Sequence, residues 1–453
     1  MKTTLTRTLI LSLMLSACGT SEESAPNQIP PTINIEAPQM DKLVIYEVFV
    51  RNFTTEGTFQ AMIPKLDRLK ELGVNTLWLM PIHPIGELNK KGSLGSPYSI
   101  RDFYDVHPDF GTKEDFRTLV NACHERGMYI IIDLVANHSS FDNAWVSEHP
   151  SWYVRDDSGE ILPPDPDWTD VADLDYNNPE VPAAMSKVME YWVKEFDIDG
   201  YRCDVAYMVP FSFWESSITN IRKIKPIIML AEGAGTELHE AGFDYTYGWE
   251  IYHHLKKIFA GESTENFSKI AIEETGKVPS GNKIMRFITN HDETSWDDVP
   301  VSLFKSREGS MAAFVASCML PCVPLIYNGQ EVGHNKKMNL FEKSSISWSK
   351  NPHMQAFYQR FLQVYAEEPS LRTDEVHFFD TDNPDIIAFR RGKGDEAIYV
   401  LVNVRASVVK FNLPEEMRSA NLLNLMNNGS MPLHQELLLN GFEFYILKAA
   451  QAS

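Results

Sequence analysis

The sequence predicts an α/β fold: a (β/α)8 TIM barrel with a short insertion domain after its third strand, followed by a C-terminal antiparallel β-sandwich domain. Three patterns indicate this. Short apolar runs alternate with stretches of helical periodicity from residue 43 onward, about eight such runs precede residue 330, and β-type runs follow residue 369. Strands separated by helices pair in parallel, and about eight of them close into a barrel.

The predicted strands are buried apolar runs bounded by turn or polar residues. Between the first two, Phe59–Leu72 has apolar residues at helical spacing and stops at Gly73. Thr112 can cap a later helix, which ends at Gly127. A further helix covers Glu180–Glu195 and leads into the fourth strand. The predicted strands are 43–50, 75–80, 128–135, 199–205, 226–231, 243–245, 283–289 and 322–327.

Composition and order divide the chain into predicted parts. Residues 41–368 form the predicted barrel, which is interrupted after His138 by loop-like sequence rich in Asp, Pro and Trp. This stretch predicts an insertion domain at about 139–179. Residues 369–453 contain β-type runs separated by turn residues, which is typical of a small antiparallel sandwich. Residues 1–17 and 18–40 are a predicted signal peptide and a flexible tether.

The N-terminus has the pattern of a secretory signal. Lys2 and Arg7 precede the apolar run Leu9–Leu15, which is too short to span a membrane, and small residues follow it. The four residues 15–18, Leu-Ser-Ala-Cys, resemble the bacterial lipobox, in which the cysteine is lipidated and becomes the mature N-terminus. The resemblance implies lipidation at Cys18 and lipid anchoring in a bacterial cell envelope, at the outer membrane, the cell surface or the periplasm.

Charge and cysteine content narrow the class of partner. The formal net charge of −21 argues against nucleic acid and against an anionic membrane surface, and it leaves neutral ligands open. The remaining cysteines stand in apolar contexts without CxxC spacing, which indicates buried thiols rather than zinc ligands or disulfides. Aromatic residues make up 11% of the chain, and rings in loops would suit stacking on a sugar ring.

The fourth predicted strand is the centre of the predicted site. Arg202 and Asp204 are two residues apart, so their side chains project from one face of the strand. The neighbouring guanidinium predicts a depressed pKa for Asp204 and therefore an ionised carboxylate. Glu232 follows the apolar run Ile-Ile-Met-Leu-Ala, and this approach predicts a raised pKa and a protonated carboxyl group.

Further polar residues follow neighbouring strands, at the end of the barrel where chemistry is found in this fold. Asp133, Asn137 and His138 belong to the third strand and its loop, and His291-Asp292 follows the seventh. Adjacent strands about 4.8 Å apart suit the roughly 5–5.5 Å between the two carboxyl groups of a retaining glycoside hydrolase. We expect His138, His291 and Asp292 to hydrogen-bond the hydroxyl groups of a sugar ring.

Together these motifs resemble the α-amylase family, glycoside hydrolase family 13, from about Leu43 to the C-terminus. The resemblance implies that Asp204 is the nucleophile, Glu232 the acid/base and Asp292 the transition-state stabiliser. The segments that carry it are Asp133–His138, Gly200–Asp204, Glu232, Phe287–Asp292 and, within the insertion, Ala172–Asp175.

The same resemblance implies the residues that bind the sugar under attack. Arg202, His138 and His291 match family residues that line this subsite, and Tyr98 matches the tyrosine that stacks under the sugar. Tyr98 lies within the segment Ser-Pro-Tyr-Ser-Ile-Arg-Asp, in the loop after the second predicted strand.

The sequence departs from the family's pattern after the nucleophile. Tyr207 and Met208 stand where its α-amylases often carry Lys-His, which serves the leaving-group side and a calcium site. Asn137 and Asp173 match calcium-ligand positions, so a structural Ca²⁺ held by these residues and a calcium-free protein are both open expectations. No organic cofactor is expected.

The leading interpretation is a retaining α-glucan hydrolase that cleaves α-1,4 bonds of starch-type chains. Within the family, a cyclomaltodextrinase or neopullulanase, an α-glucosidase and a transglycosylase are the alternatives, with malto-oligosaccharides, starch or cyclodextrins as substrate partners. A non-catalytic glycan-binding lipoprotein on the same barrel is the alternative from another class. The complete set Asp204, Glu232 and Asp292 favours an enzyme, while endo or exo action stays open.

Overall fold

The computed structural model describes residues 35–418, 421–432 and 435–449. The predicted signal peptide, Cys18 and the predicted tether up to residue 34 lie outside the described residues. Among the helices that the structure describes, none is long and apolar enough to cross a membrane.

Eight parallel strands close into a barrel, which confirms the predicted fold class. Each strand pairs in parallel with its neighbour in sequence, and the first strand closes the barrel on the eighth, with Tyr46 opposite Ile326. The strands are β1 Ile45–Val48, β2 Thr76–Leu79, β3 Tyr129–Leu134, β4 Gly200–Cys203, β5 Ile228–Ala231, β6 Tyr245–Tyr247, β7 Lys283–Arg286 and β8 Val323–Tyr327.

The sixth strand differs most from its predicted range, because it both begins and ends two residues later. The prediction put the sixth strand at 243–245, whereas β6 begins at Tyr245. The cause is Asp244, whose carboxylate accepts a hydrogen bond from the backbone N–H of Met229 at 2.8 Å, while its own N–H donates to the Met229 carbonyl at 2.9 Å. At this point the Asp244 side chain, and not a backbone carbonyl of β6, accepts the hydrogen bond from β5, so regular strand pairing begins only at Tyr245.

Helices cover the outside of the barrel. The predicted helix Phe59–Leu72 is broken, because Pro64 lacks the N–H that would continue it, and a 3-10 turn at Ile63–Lys65 separates two shorter helices. The Thr112 cap is present, with Thr112 Oγ1 accepting from the Asp115 N–H at 3.1 Å. The α-helices are Val50–Phe53, Phe59–Met62, Leu66–Leu72, Lys113–His124, Ala144–Glu148, Glu180–Phe196, Phe211–Ile221, Thr236–Glu240, Trp249–Ala260, Phe267–Thr275, His291–Trp296, Pro300–Leu303, Arg307–Cys318, Pro352–Glu367 and Glu415–Arg418.

The insertion between β3 and β4 has a short antiparallel pair at its base. Strand His138–Ser140 pairs with Val171–Asp173, so that His138 lies opposite Asp173. This pairing holds the segment around Trp168 against His138, with the two rings 5.6 Å apart and edge to face. The insertion thereby forms one wall over the carboxyl ends of the barrel strands.

Two antiparallel sheets follow the barrel. A six-stranded sheet has the order β9-β10-β11-β16-β13-β14, and a two-stranded sheet pairs β12 with β15. One buried apolar cluster takes residues from both sheets, including Leu401 and Phe411, as a sandwich requires. The strands are β9 Val376–Phe378, β10 Ile386–Arg391, β11 Ile398–Asn403, β12 Val409–Asn412, β13 Asn421–Asn424, β14 Gly429–Pro432, β15 Glu436–Leu439 and β16 Phe444–Ala449.

Candidate active site

The predicted site residues converge at the carboxyl ends of β3, β4, β5 and β7. Arg202 lies within β4, and Asp204 comes directly after it. Glu232 comes directly after β5, which pairs with β4 through Cys203 and Ala231. The adjacent strands therefore bring the two predicted catalytic carboxyl groups to the same edge of the barrel.

Arg202 is the centre of this cluster. Its Nη1 lies 2.8 Å from Asp204 Oδ1 and 2.9 Å from Asp133 Oδ1, and its Nη2 lies 2.8 Å from Glu232 Oε2. Its Nε donates to the hydroxyl of Tyr247 at 3.1 Å. One fully buried guanidinium therefore contacts three carboxyl groups.

The pKa direction predicted for Asp204 is wrong. Burial raises the pKa of Asp204 to about 6, and Arg202 only partly offsets this. Because Arg202 also serves Asp133 and Glu232, its charge does not overcome the cost of taking the Asp204 carboxylate out of water. At neutral pH a carboxyl group with this pKa is still mainly ionised.

The pKa direction predicted for Glu232 agrees with the structure. Burial raises the pKa of Glu232 to about 7, Arg202 lowers it, and the nearby carboxylates Asp204 and Asp292 raise it. The Glu232 carboxyl group therefore holds its proton to a higher pH than Asp204 does. This difference gives the pair one member that is ionised and one that can donate a proton.

A strained residue joins these two carboxyl groups. Val205, directly after Asp204, has φ +36° and ψ +47°, a left-handed conformation that β-branched residues rarely adopt. Its N–H donates to Glu232 Oε2 at 2.7 Å, and the next N–H, of Ala206, donates to the Glu232 carbonyl at 3.1 Å. The turn after β4 is thus fastened to the residue that ends β5.

His291 and Asp292 form an ion pair beside this cluster, with His291 Nε2 3.2 Å from Asp292 Oδ2. Burial acts to raise the pKa of Asp292, but the His291 charge and hydrogen bond, together with Arg202, bring it below the usual value. Burial acts to lower the pKa of His291, and Asp292 and Glu47 outweigh it and raise it. The pair is therefore charged at neutral pH.

Tyr98 and His138 line the same pocket as the three carboxyl groups. The Tyr98 ring stacks on His291 at 5.3 Å, and its hydroxyl lies 2.6 Å from His291 Nε2. Burial lowers the pKa of His138 to about 4, so its imidazole is neutral. The pocket has a volume of about 310 Å³ and is lined by Lys91, Ser96, Tyr98, His138, Trp168, Asp170, Val171, Asp204, Val205, Glu232, His291, Asp292, Trp296, Leu340 and Phe341.

Several residues of the site were not singled out by the sequence. Glu47 on β1 contacts His291, and Trp78 on β2 donates to Asp133 Oδ2 at 3.3 Å. The signal for Glu47 was present, since it is the one charged residue in an otherwise apolar predicted strand. Leu340 and Phe341 come from the long loop after β8 and gave no signal.

The residues predicted to hold calcium supply few oxygen ligands. Asn137 and Asp173 are neighbours, since the Asn137 carbonyl accepts the N–H of Leu174 at 3.1 Å. Burial, followed by repulsion from Asp175, raises the pKa of Asp173 to about 6. No cluster of three or more acidic, histidine or cysteine side chains suited to a metal occurs among the described residues. Because Ca²⁺ takes six to eight oxygen ligands, the fit is incomplete.

The arrangement defines a class of enzyme. An ionised carboxylate beside a guanidinium and a second carboxyl group of higher pKa stand on adjacent strands at the catalytic end of a (β/α)8 barrel. A third carboxylate, Asp292, faces the same pocket. These groups match the requirement of a glycoside hydrolase, which needs one carboxyl group to donate a proton and another to stay ionised.

Comparison with known proteins identifies the family. The sequence matches the family description "Alpha amylase, catalytic domain" over residues 40–168 and 165–377, and "Maltogenic Amylase, C-terminal domain" over residues 376–446. The chain therefore belongs to the α-amylase family of glycoside hydrolases.

Individual members of the family are similar in sequence or structure to this chain along most of its length. Alpha-amylase 2 of Dictyoglomus thermophilum is 26% identical over 455 residues, which cover 90% of this chain and 77% of the relative. The crystal structure of an α-amylase from Lactobacillus plantarum is 31% identical, covers 91% of this chain and 100% of its own, and superposes with a TM-score of 0.83. A noncanonic maltogenic α-amylase, AmyB of Thermotoga neapolitana, is also 31% identical, with coverages of 91% and 99% and a TM-score of 0.82.

Proposed function

We propose that this protein is a retaining α-glucan hydrolase that cleaves α-1,4-glucosidic bonds of starch-type oligosaccharides and polysaccharides. The observation that carries the proposal is the contact of Arg202 with both Asp204 and Glu232, two carboxyl groups of different pKa on adjacent strands. The family membership and the relatives named as α-amylases and a maltogenic α-amylase support this substrate class.

The mechanism begins with Asp204 as nucleophile. Its carboxylate attacks the anomeric carbon and forms a covalent glycosyl-enzyme, while Glu232 gives its proton to the departing glycosidic oxygen. Glu232, now ionised, then takes a proton from water, and the hydroxide oxygen displaces Asp204 from the anomeric carbon. The anomeric configuration is retained because two displacements occur in succession.

The remaining residues hold the sugar as positive charge develops on its ring. In this proposal Tyr98 stacks under the sugar, and His138, Arg202 and His291 line its subsite. Asp292, whose low pKa keeps it ionised, stabilises the oxocarbenium-like transition state.

Transfer to a second sugar is the alternative that a specific observation favours. Tyr207, Met208 and Phe211 are exposed large apolar residues, at 58%, 38% and 41%, in the turn and helix that follow the nucleophile. Tyr207 Cδ1 lies 3.5 Å from where a Cβ at Gly233, next to Glu232, would stand. An apolar surface beside the proton donor suits the face of a sugar ring and favours sugar acceptors over water.

A product time course tests the proposal. The soluble form lacking residues 1–18 is incubated with maltoheptaose, with soluble starch and a cyclodextrin in parallel. Mixed short oligosaccharides at early times indicate an endo-acting α-amylase, whereas glucose or maltose alone, with the cyclodextrin preferred, indicates an α-glucosidase or cyclomaltodextrinase. Products longer than the substrate indicate transfer. Absence of turnover on all three substrates, with binding retained, would replace the proposal with a glycan-binding protein.

Calcium enters the proposal as a structural ion. Asn137 and Asp173 would supply ligands at the base of the insertion, and the half-buried Asp173 carboxylate, raised in pKa, would gain from a cation. The test is a thermal melt with added Ca²⁺ and with a chelator. A melting temperature that is the same in both conditions removes calcium from the proposal.

For the cellular location, the proposal is that a lipid on Cys18 anchors the protein. The charged start, the short apolar run and the lipobox-like residues 15–18 support attachment in a bacterial cell envelope. We expect the full chain expressed in a Gram-negative host to fractionate with membranes and to carry a lipid mass at Cys18. Recovery of Cys18→Ser in the same membrane fraction would contradict this.

A further inference from the structure

Glu47 is a buried carboxyl group that the proposed mechanism does not use. It lies on β1, its side chain is fully buried, and it does not line the catalytic pocket that the described residues form. A buried carboxylate is costly unless it is paired and hydrogen-bonded, so its partners indicate what it does.

Its partner is a histidine of the site. Glu47 Oε1 lies 2.5 Å from His291 Nδ1, and Glu47 Oε2 has no hydrogen-bond partner among the described residues. The other ring nitrogen of His291, Nε2, lies 2.6 Å from the Tyr98 hydroxyl and 3.2 Å from Asp292 Oδ2. The imidazole therefore connects a carboxylate behind the pocket to a carboxylate inside it.

We propose that Glu47 is a positioning residue for the glycoside hydrolysis proposed above. Its carboxylate accepts the Nδ1–H of His291, fixes the plane of the imidazole and holds it as an imidazolium. The Nε2–H then donates to the Tyr98 hydroxyl at 2.6 Å, and the charge of the ring, 3.2 Å from Asp292 Oδ2, keeps Asp292 ionised. The Trp78 ring packs edge to face against the imidazole at 5.9 Å and limits rotation away from this position.

The charges around His291 agree with this role. Asp292 lies on one side of the ring and Glu47 on the other, and Arg202 is the other cation that acts on both carboxylates. Without Glu47 the imidazolium, in a fully buried place, keeps Asp292 as the anion it contacts and Asp133, reached through the Tyr98 hydroxyl, as a second nearby anion. The imidazolium would then lose its proton at a lower pH, and Asp292 would lose the charge that keeps its own pKa low.

The test is Glu47→Gln, which keeps the shape and removes the charge. We expect kcat on maltoheptaose to fall about 10- to 100-fold, the scale of a lost charge-assisted hydrogen bond. KM should stay near the wild-type value, because Glu47 does not line the pocket. In wild type the alkaline limb belongs to Glu232, because the pKa of His291 is raised well above its usual value by Asp292 and Glu47. In Glu47→Gln the imidazolium loses its proton at a lower pH, and a His291 pKa that falls below that of Glu232 moves the alkaline limb to lower pH.

Glu331→Gln is the matched control. Glu331 is equally buried and is held by Tyr46, the neighbour of Glu47 on β1, at 2.7 Å and by Arg68 at 3.0 Å. Its substitution therefore imposes a similar loss of a buried charge without touching His291. We expect it to lower stability and to leave the pH profile of kcat unchanged.

A second readout does not depend on turnover. In protein labelled with ¹⁵N-histidine, the His291 resonance is assigned by its loss in His291→Gln and is titrated in wild type and in Glu47→Gln. We expect a lower His291 pKa in Glu47→Gln, and an intermediate value in Glu47→Asp, which also serves if the glutamine variant does not fold. The same pKa and the same alkaline limb in wild type and variant would overturn the inference. If wild type cleaves no glucan, the proposed function fails, and the titration still decides the role of Glu47.

Discussion

Strand β4 carries a buried aspartate at each of its ends, and the two are surrounded differently. Asp199, before the strand, accepts from His124 Nε2 at 2.9 Å, Lys225 Nζ at 3.0 Å and the Ile130 N–H at 2.8 Å. Asp204, after the strand, shares Arg202 with two other carboxyl groups. Asp199 shares Lys225 with Asp197, which lies 2.6 Å from Lys225 Nζ, but it also has His124 and a backbone N–H as donors. Asp204 has Arg202 alone among the described residues and competes for it.

The difference separates a structural ion cluster from a catalytic one. Where donors match carboxylates, burial is compensated and the cluster fixes the fold. Where several carboxyl groups share one cation, the pKa of some of them is raised, as it is for Asp204 and Glu232. Such groups can transfer protons near neutral pH. In barrels of this kind the carboxyl ends of the strands carry the chemistry and the opposite ends carry stability.

The largest effect is expected for Asp204→Asn, which removes the proposed nucleophile. We expect kcat/KM on maltoheptaose to fall by at least about 10⁴-fold, the scale of losing an essential group from a covalent mechanism. No glycosyl-enzyme should be trapped from this variant when a slow fluorinated glucosyl substrate is followed by intact-protein mass spectrometry. A trapped intermediate in Asp204→Asn would contradict the nucleophile assignment.

The next largest effect is expected for Glu232→Gln, which removes the proton donor and keeps its shape. Turnover should fall by about 10²–10⁴-fold. Binding of maltotriose, measured by calorimetry, should stay within a few-fold of wild type. Near-normal hydrolysis by this variant would overturn the acid/base assignment.

Asp199→Asn tests the other end of the strand. Removing the Asp199 charge should lower the free energy of unfolding by about 1.5–3 kcal/mol, the scale of a lost hydrogen bond to a charged group, because Lys225 keeps Asp197 as a partner. The kcat measured below the melting temperature should remain close to wild type. Urea unfolding gives the stability, and Asp157→Asn, an exposed residue of the insertion, is the control. A loss of kcat equal to that of Asp204→Asn would remove the distinction between the two ends.

The smallest expected change is the variation of wild-type kcat/KM with pH, which tests the pKa values of Asp204 and Glu232 directly. Asp204 must be ionised, so kcat/KM should fall as pH drops through about 6. Glu232 must be protonated, so kcat/KM should also fall as pH rises through about 7. A narrow bell with its maximum between these values is expected. A profile that is flat from pH 5 to pH 8 would show that these two groups do not control the reaction.

The fold and most of the candidate site could be predicted from the sequence because local patterns carry them. Alternation in β4 put Arg202 and Asp204 on one face, and the apolar run before Glu232 indicated the surroundings that raise its pKa. The pKa of Asp204 was mispredicted because the sequence shows its arginine neighbour and not the two carboxyl groups that share it. Glu47 meets His291 only once the barrel closes β1 onto β8, so its contact depends on tertiary structure.

Because Val205 has a left-handed conformation, activity and thermal stability favour different residues at this position. A valine in this conformation lowers the free energy of unfolding by about 1–3 kcal/mol, which other interactions of the fold must offset. Asparagine and glycine adopt the same backbone angles more easily. A library randomised at position 205 and screened for survival of heating should therefore enrich these two residues, and a screen for starch clearance should retain valine. The N–H that holds Glu232 is a backbone group that all three residues supply, whereas the valine side chain lines the catalytic pocket. Laboratory evolution towards heat resistance alone would then change the wall of that pocket.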